Sequence, residues 1–339
     1  MATKVAVIGA GSWGTAVAAL ACHNVATVLW ARSEDLAAEI ASTHVNTRYL
    51  ADFPLPPALV ATASLEDALA DADVMVMAVP SHGFRDVLSA GKPAITAGMP
   101  IVSLSKGVEL GTLKRMTEVV AELLPGHTSG VLTGPNLAQE IMAGRPAASV
   151  VAMTDPVVAT DLQRIFSTPS FRVYTNPDVI GCEVAGALKN VMALAAGMSD
   201  GMGLGDNAKA ALMTRGLAEL ARLGTALGGN PLTFAGLAGM GDLVATCMSR
   251  QSRNRHVGEE LGRGRAIADI IAEMQMVAEG VRTSRAVVEL GARVHVELPI
   301  AEQVAAVIDG VKSAADIIPA LMLREAKSEL HGTAAITTV

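Results

Sequence analysis

The sequence predicts an α/β protein: a doubly wound, mostly parallel sheet in the N-terminal half, followed by an all-α domain. Three observations carry this expectation. Short, β-branched apolar runs alternate with helical stretches through the first half. A glycine-rich turn follows the first of these runs directly. After Thr175-Asn176-Pro177-Asp178, strand-like runs almost vanish and Ala/Leu/Met-rich helical stretches continue to about Leu330.

The organising stretch is Val5–Gly14. Val5-Ala6-Val7-Ile8 reads as a buried parallel strand. Gly9-Ala10-Gly11-Ser12-Trp13-Gly14 and a helix over Thr15–Ala21 come next. Gly9 allows the tight turn, Gly11 lets backbone approach a pyrophosphate, and Gly14 lets the helix pack on the strand. The order strand, glycine turn, helix is the context a dinucleotide site requires.

Val25–Trp30 reads as the second strand. Past its end lies Arg32, suited to a ribose 2′-phosphate or to stacking on adenine, and also readable as an ordinary strand-end charge. Glu34 and Asp35 stand close enough to reach a ribose, so both NADP and NAD remain open. His44–Pro57 reads as a loop and Ser64–Ala70 as a short helix. Further strands are expected at Val74–Val79, Pro100–Leu104, Gly130–Thr133 and Ala148–Met153. In such sheets ligands lie beyond the carboxyl ends of the strands. That makes Ser12, Arg32, Ser81, Lys106, Gly134 and Asn136 site candidates.

In the second half, Lys189 is the lone charge between Glu183 and Asp200 on an apolar, small-residue helix. Such a cation needs a partner or a task. Asp242, opening an apolar stretch, is placed to cap a helix or to orient a lysine. Gln251-Ser252-Arg253-Asn254-Arg255 crowds a hydroxyl, two amides and two guanidiniums at a helix start, which suits a phosphate dianion and reads otherwise as a basic solvated turn. Val277-Ala278-Glu279-Gly280 is a break that composition alone does not assign.

Composition sets outer limits. The net charge of −7 argues against a broad nucleic-acid surface. Aromatic residues make up 3% and hydrophobic residues 51%, so small and aliphatic side chains must build the core. Cys22, Cys182 and Cys247 show no metal spacing and read as buried thiols in a reducing compartment. The first strand starts almost at Met1, with no room for a signal peptide. Leu223–Gly241 is uncharged over about a membrane-spanning length, but Asn230-Pro231 and its glycines favour a turn between buried helices.

Gly9–Gly14, Ser105-Lys106-Gly107, Gly134-Pro135, Leu188-Lys189-Asn190, Gly241-Asp242-Leu243 and Gln251–Arg255 occur together in this order. With them the chain closely resembles the bacterial NAD(P)-dependent glycerol-3-phosphate dehydrogenases, from about Lys4 to Leu330. The resemblance implies a Rossmann domain followed by an all-helical substrate domain, in agreement with the pattern change near Gly181–Glu183 that sets the expected domains at 1–182 and 183–330; the end of the chain, 331–339, reads as a loose tail. The resemblance also implies reversible interconversion of dihydroxyacetone phosphate and sn-glycerol 3-phosphate for glycerophospholipid synthesis, with NADP or NAD and no metal. Lys189 is then the proton acceptor, and Lys106 touches substrate and cofactor. Gly134, Asn136, Asp242, Ser252, Arg253 and Asn254 line the substrate. Gly9, Gly11, Ser12, Trp13, Gly14, Arg32, Lys106, Ala138, Arg253, Val277 and Glu279 meet the cofactor. Asn190 and Thr246 support the site. Asn136 replaces the usual Ser or Thr after Gly-Pro.

Expected partners are the small-molecule substrate and a second copy of the chain in a homodimer, without nucleic acid or membrane insertion, in the cytoplasm. Competing readings are a related β-hydroxyacid dehydrogenase and a non-catalytic nucleotide sensor.

Overall fold

Val5, Ala6, Val7 and Ile8 are all fully buried, as side chains must be on a strand covered on both faces. In the computed structural model, which describes residues 3–274 and 278–325, they form β1 (Lys4–Ile8) at the middle of a sheet. The other strands are β2 (Ala26–Trp30), β3 (Val60–Thr62), β4 (Val74–Met77), β5 (Ile101–Ser103), β6 (Ser129–Thr133), β7 (Ala147–Ala152) and β8 (Phe171–Asn176). Their order is β8-β7-β6-β5-β4-β1-β2-β3. From β3 to β6 this is the doubly wound dinucleotide-binding order.

Pairing is parallel except between β6 and β7, where Val131 stands opposite Ala152. The parallel register, with Ile8 beside both Trp30 and Met77, brings the carboxyl ends of β1, β2 and β4 to one edge. From β1 the chain passes through the glycine turn into α1 (Ser12–Cys22). Gly9 has φ of +124°, and a side-chain carbon there would lie 2.6 Å from the Ala78 carbonyl oxygen. At Gly14 such a carbon would overlap the Gly9 carbonyl. Only glycine lets α1 sit this close to the strand.

The chain divides into two compact units, Met1–Ser105 with Lys114–Val179, and Lys106–Leu113 with Ile180–Val339. The segment Lys106–Leu113 thus belongs with the helical unit, although it falls within the expected 1–182 domain. Val108 and Leu113 are buried in the helical core. Two further differences concern the first unit. His44–Pro57 is more than a loop: Asn46 caps a one-turn helix, Thr47–Leu50, between the short antiparallel strands Val45–Asn46 and Ala51–Pro54. Edge strands β3 and β8 are absent from the sequence expectation: β3 is only three residues long with no fully buried position, and β8 alternates buried and exposed residues instead of forming an apolar run.

The second unit is built on α2 (Val179–Gly201), predominantly apolar and buried along almost its whole length. By length and composition it is apolar enough to cross a membrane, yet 94% of its apolar window is buried inside the protein. Around it lie α3 (Gly205–Ala226), α4 (Asp242–Met248), α5 (Arg253–Gly262), α6 (Glu279–Arg293) and α7 (Pro299–Ile308). Backbone meets backbone between α2 and α5. A side-chain carbon at Gly197 or Gly201 would overlap the carbonyls of Arg255 or Glu259, and one at Gly258 would overlap that of Leu194. This close packing sets the start of α5 beside the polar residues of α2. The stretch Leu223–Gly241 is, as expected, a turn between helices, with Asn230 capping the short helix Pro231–Phe234. The tail 331–339 lies outside the described residues.

Candidate active site

Lys189 projects from α2, only 5% exposed, on a helix whose other buried residues are chiefly alanine, leucine, valine and methionine. Its ammonium donates to Asp242 Oδ1 and, at 2.7 Å, to Thr246 Oγ1. Thr246 passes its own hydroxyl hydrogen to the Asp242 carbonyl at 2.6 Å, which leaves its lone pairs to receive the lysine. Lys106 Nζ donates to the other carboxylate oxygen, Oδ2, at 2.7 Å. Asp242 is 1% exposed and opens α4. Of the two roles open to it, the structure shows it orienting lysines, and it holds two.

One carboxylate facing two ammoniums leaves an uncompensated positive charge in a dry site. Burial pushes Lys189 down to about 7, the charge of Lys106 pushes the same way, and Asp242 opposes both. The lysine can therefore hold or release a proton near neutral pH. Its neighbour Cys247 is buried, and burial pushes the thiol up to about 12, so it remains a protonated, unreactive group.

Carboxamides fix the flank of this cluster. Asn190 Nδ2 donates to the Lys106 carbonyl at 3.1 Å, Asn254 Nδ2 to Asn190 Oδ1 at 3.0 Å, and the Gly280 amide to Asn254 Oδ1 at 2.9 Å. Ser252 caps α5, its hydroxyl accepting the Arg255 amide at 3.2 Å, and its own hydrogen stays available to an oxyanion. Arg253 is exposed at the same helix start. The two arginines differ: the Arg255 guanidinium binds Asp200 at 2.6 and 2.8 Å and Glu259 at 3.3 Å. It braces the helix, so the expected pair of phosphate-facing guanidiniums reduces to Arg253.

Except for Glu279 and Val277, the remaining candidates lie in the first unit. No side chain caps α1, so its first amides, those of Ser12 and Trp13 among them, lack a side-chain acceptor. Space over Gly11 is open, with no atom within 4 Å of where a side-chain carbon would stand. Trp13 Nε1 is buried without a hydrogen-bond partner. These features fit a pyrophosphate on the helix start. Arg32 is exposed after β2, immediately before Ser33, the cap of helix Glu34–Thr43. Gly134, with φ of +137°, turns the chain after β6, and Ala138 opens the helix Ala138–Met142. Both polar side-chain atoms of Asn136 are buried without partners, so the residue that departs from the family pattern has an amide with unused capacity. Glu279 opens α6; Val277 lies outside the described residues. Among the described residues no cluster of three His, Cys, Asp or Glu side chains forms a metal site.

An anion-binding turn on this strand order serves a dinucleotide, and a buried lysine titrating near neutrality is the acid–base group that carbonyl reduction needs. Fold and site thus define a dinucleotide-dependent dehydrogenase. Residues 4–159 match the family model for the NAD-dependent glycerol-3-phosphate dehydrogenase N-terminus and residues 178–319 that for its C-terminus, and the chain belongs to this family.

Among its relatives, a glycerol-3-phosphate dehydrogenase [NAD(P)+] of Sphingopyxis alaskensis is 53% identical, covering 98% of this chain and 99% of that protein. One of Geobacter sulfurreducens is 49% identical over 97% and 99%. The crystal structure of glycerol-3-phosphate dehydrogenase from Coxiella burnetii superposes with a TM-score of 0.91 at 37% identity, covering 95% of this chain and 99% of that one.

Glu219, described below, escaped the sequence reading. The signal was present: with Gly216, Leu220 and Leu223 it shares the buried face of α3, at helical spacing.

Proposed function

We propose that this chain is an oxidoreductase that interconverts dihydroxyacetone phosphate and sn-glycerol 3-phosphate, with Lys189 as the proton donor and acceptor. The single observation that carries the assignment of Lys189 is its shared carboxylate: Asp242 holds Lys189 on one oxygen and Lys106 on the other.

When bound, the nicotinamide dinucleotide supplies or accepts the hydride at substrate C2. Gly9, Gly11, Ser12, Trp13 and Gly14 would hold its pyrophosphate, with Arg32 at the ribose and Ala138, Val277 and Glu279 as further contacts. In reduction the Lys189 ammonium lies at the C2 oxygen, stabilises the charge that develops there and gives up its proton. The ketone oxygen thereby becomes the alcohol hydroxyl. In oxidation the neutral amine takes that hydroxyl proton. Lys106 contributes a second positive charge beside the reacting oxygen. Thr246 and Asn190 fix the lysines and do not react. Arg253, with Ser252 and Asn254, receives the phosphate, and Gly134 and Asn136 line the substrate.

A homodimer in the cytoplasm completes the reading. An apolar groove of about 1130 Å³ in the helical unit, lined by Ala195, Met198, Leu212 and Val304 among others, supports self-association. The free thiols Cys22, Cys182 and Cys247 support a reducing compartment.

The test follows loss of the reduced-nicotinamide absorbance with dihydroxyacetone phosphate and each coenzyme. Turnover that requires the phosphorylated ketone supports the assignment; coenzyme binding without turnover refutes it. Replacing Arg32 by Asp should shift the ratio of kcat/KM values toward NADH, and an unchanged ratio removes Arg32 from ribose recognition.

A further inference from the structure

Both ends of the Asn254 carboxamide are engaged inside the protein, although the family pattern places this residue on the substrate. Its Oδ1 receives the Gly280 amide at 2.9 Å and its Nδ2 donates to Asn190 Oδ1 at 3.0 Å. Asn190 in turn donates to the Lys106 carbonyl at 3.1 Å. A backbone N–H can only donate and a carbonyl can only accept. The two end groups therefore fix the orientation of both carboxamides, and the relay runs one way from α6 to Lys106. Asn254 and Asn190 are both buried, so a reversed amide would leave two like groups facing each other without water.

The far end of the relay is equally constrained. A side-chain carbon at Gly280 would stand 2.7 Å from the Asn190 carbonyl oxygen and 2.8 Å from Asn254 Oδ1. The start of α6 approaches α2 and α5 as closely as a peptide without a side chain permits. At the near end, Lys106 delivers its ammonium to Asp242, and Asn190 is the chain neighbour of Lys189.

We propose that Asn254 is a positioning residue for the lysine pair: its carboxamide ties the Gly280 backbone to Asn190 and, through Asn190, to the carbonyl of Lys106. The relay sets where Lys106 meets Asp242, and hence how one carboxylate is divided between two ammoniums. This inference rests on the assignment of Lys189 as the acid–base group.

Two variants of the full-length protein test it. Asn254→Leu keeps size but removes donor and acceptor without adding charge, so that an apolar group faces Asn190 Oδ1 and the Gly280 amide. Gly280→Ala forces the relay apart from the other end, at a position with no side chain to lose. For both, kcat, KM for coenzyme and substrate, and the pH profile of kcat/KM for glycerol 3-phosphate oxidation are measured. The groups facing Lys189 are Asp242, Thr246 and Cys247 from α4 and Lys106 from its own segment. Moving Lys106 away removes a charge that lowers Lys189 and frees Asp242 to hold it.

The expected result is a fall in kcat of about 10- to 100-fold, the scale of a misplaced reactive group. The acid limb should move above its wild-type midpoint, with coenzyme KM nearly unchanged. Unchanged kcat, or a lower kcat with the midpoint unmoved, overturns the proposal, because a merely structural defect does not shift the titration. Should either variant lose cooperative melting, Asn254→Ala carries the same readout without added bulk or charge. A wild-type protein that fails to reduce dihydroxyacetone phosphate refutes the assigned activity; an active wild type with unmoved variants refutes the relay alone.

Discussion

Lys189 and Glu219 are interior ionisable groups of the same helical unit, and burial drives both toward their neutral forms, each to about 7. What faces them differs. Lys189 meets side chains: a carboxylate, a hydroxyl and, across that carboxylate, a second ammonium. Glu219, 2% exposed, meets backbone. Its carboxyl accepts the amides of Ile300 at 2.7 Å and Ala301 at 3.3 Å, capping α7, whose own cap residue Leu298 offers no side chain for the purpose. One group sits among convergent polar side chains and the other behind a helix start. A perturbed pKa identifies a dry location; convergent side chains identify chemistry. Cavity size misleads in the same way, since the large apolar groove is lined by Glu219 and not by Lys189.

The contrast can be broken or sharpened by substitution. The largest effect is expected from Lys189→Ala, which should lower kcat about 10³-fold, in the range of a lost general acid–base group, while coenzyme binding followed by fluorescence is retained. Near-normal turnover would place Lys189 in the same structural category as Glu219. Next comes Asp242→Asn, with a loss on the order of 10²-fold because both lysines lose their charged acceptor. Since Asp242 raises Lys189, its removal should move the acid limb of oxidation to lower pH, opposite to the shift expected on breaking the carboxamide relay. Thr246→Val removes one acceptor of the ammonium and should cost about 10-fold in kcat, the worth of roughly one hydrogen bond.

The smallest effect on activity belongs to Glu219→Gln, with kcat within about twofold of wild type. Its signature is in stability. The folded carboxyl titrates near 7 against about 4.3 unfolded. The contribution is therefore fully present below the unfolded value and is lost as pH rises through the folded one. Roughly 3 kcal/mol should disappear between about pH 4.5 and 7.5 in the wild type and remain in Glu219→Gln. Denaturant melts at several pH values measure it, and parallel curves for the two proteins would contradict the burial argument.

The sequence showed much of this arrangement and concealed some of it, for physical reasons. The glycine turn was legible because its constraints are local: Gly9 and Gly14 are held to glycine by backbone only a few residues away or on the next strand. The central strands were legible because burial on both faces leaves continuous apolar runs. Strand β8 was not, because only Phe171 and Val173 face inward while Arg172 and Tyr174 are exposed; its signal was alternation. Lys189 stood out as a lone charge on an apolar helix. Its partnership with Asp242, 53 residues on, and that of Asp242 with Lys106, 136 residues back, are products of tertiary packing. Arg255 was misread as phosphate-facing because its tie to Asp200 depends on the contact of α5 with α2.

The most direct measurement is kcat/KM for glycerol 3-phosphate oxidation across about pH 5 to 10, in the wild type and Lys189→Ala. A wild-type rise with a midpoint near 7, and a variant about 10³-fold slower that lacks this limb, is the expected result. A wild-type midpoint near 10.4, the value of a free lysine, or a variant that keeps the midpoint near 7, would contradict Lys189 as the buried proton carrier.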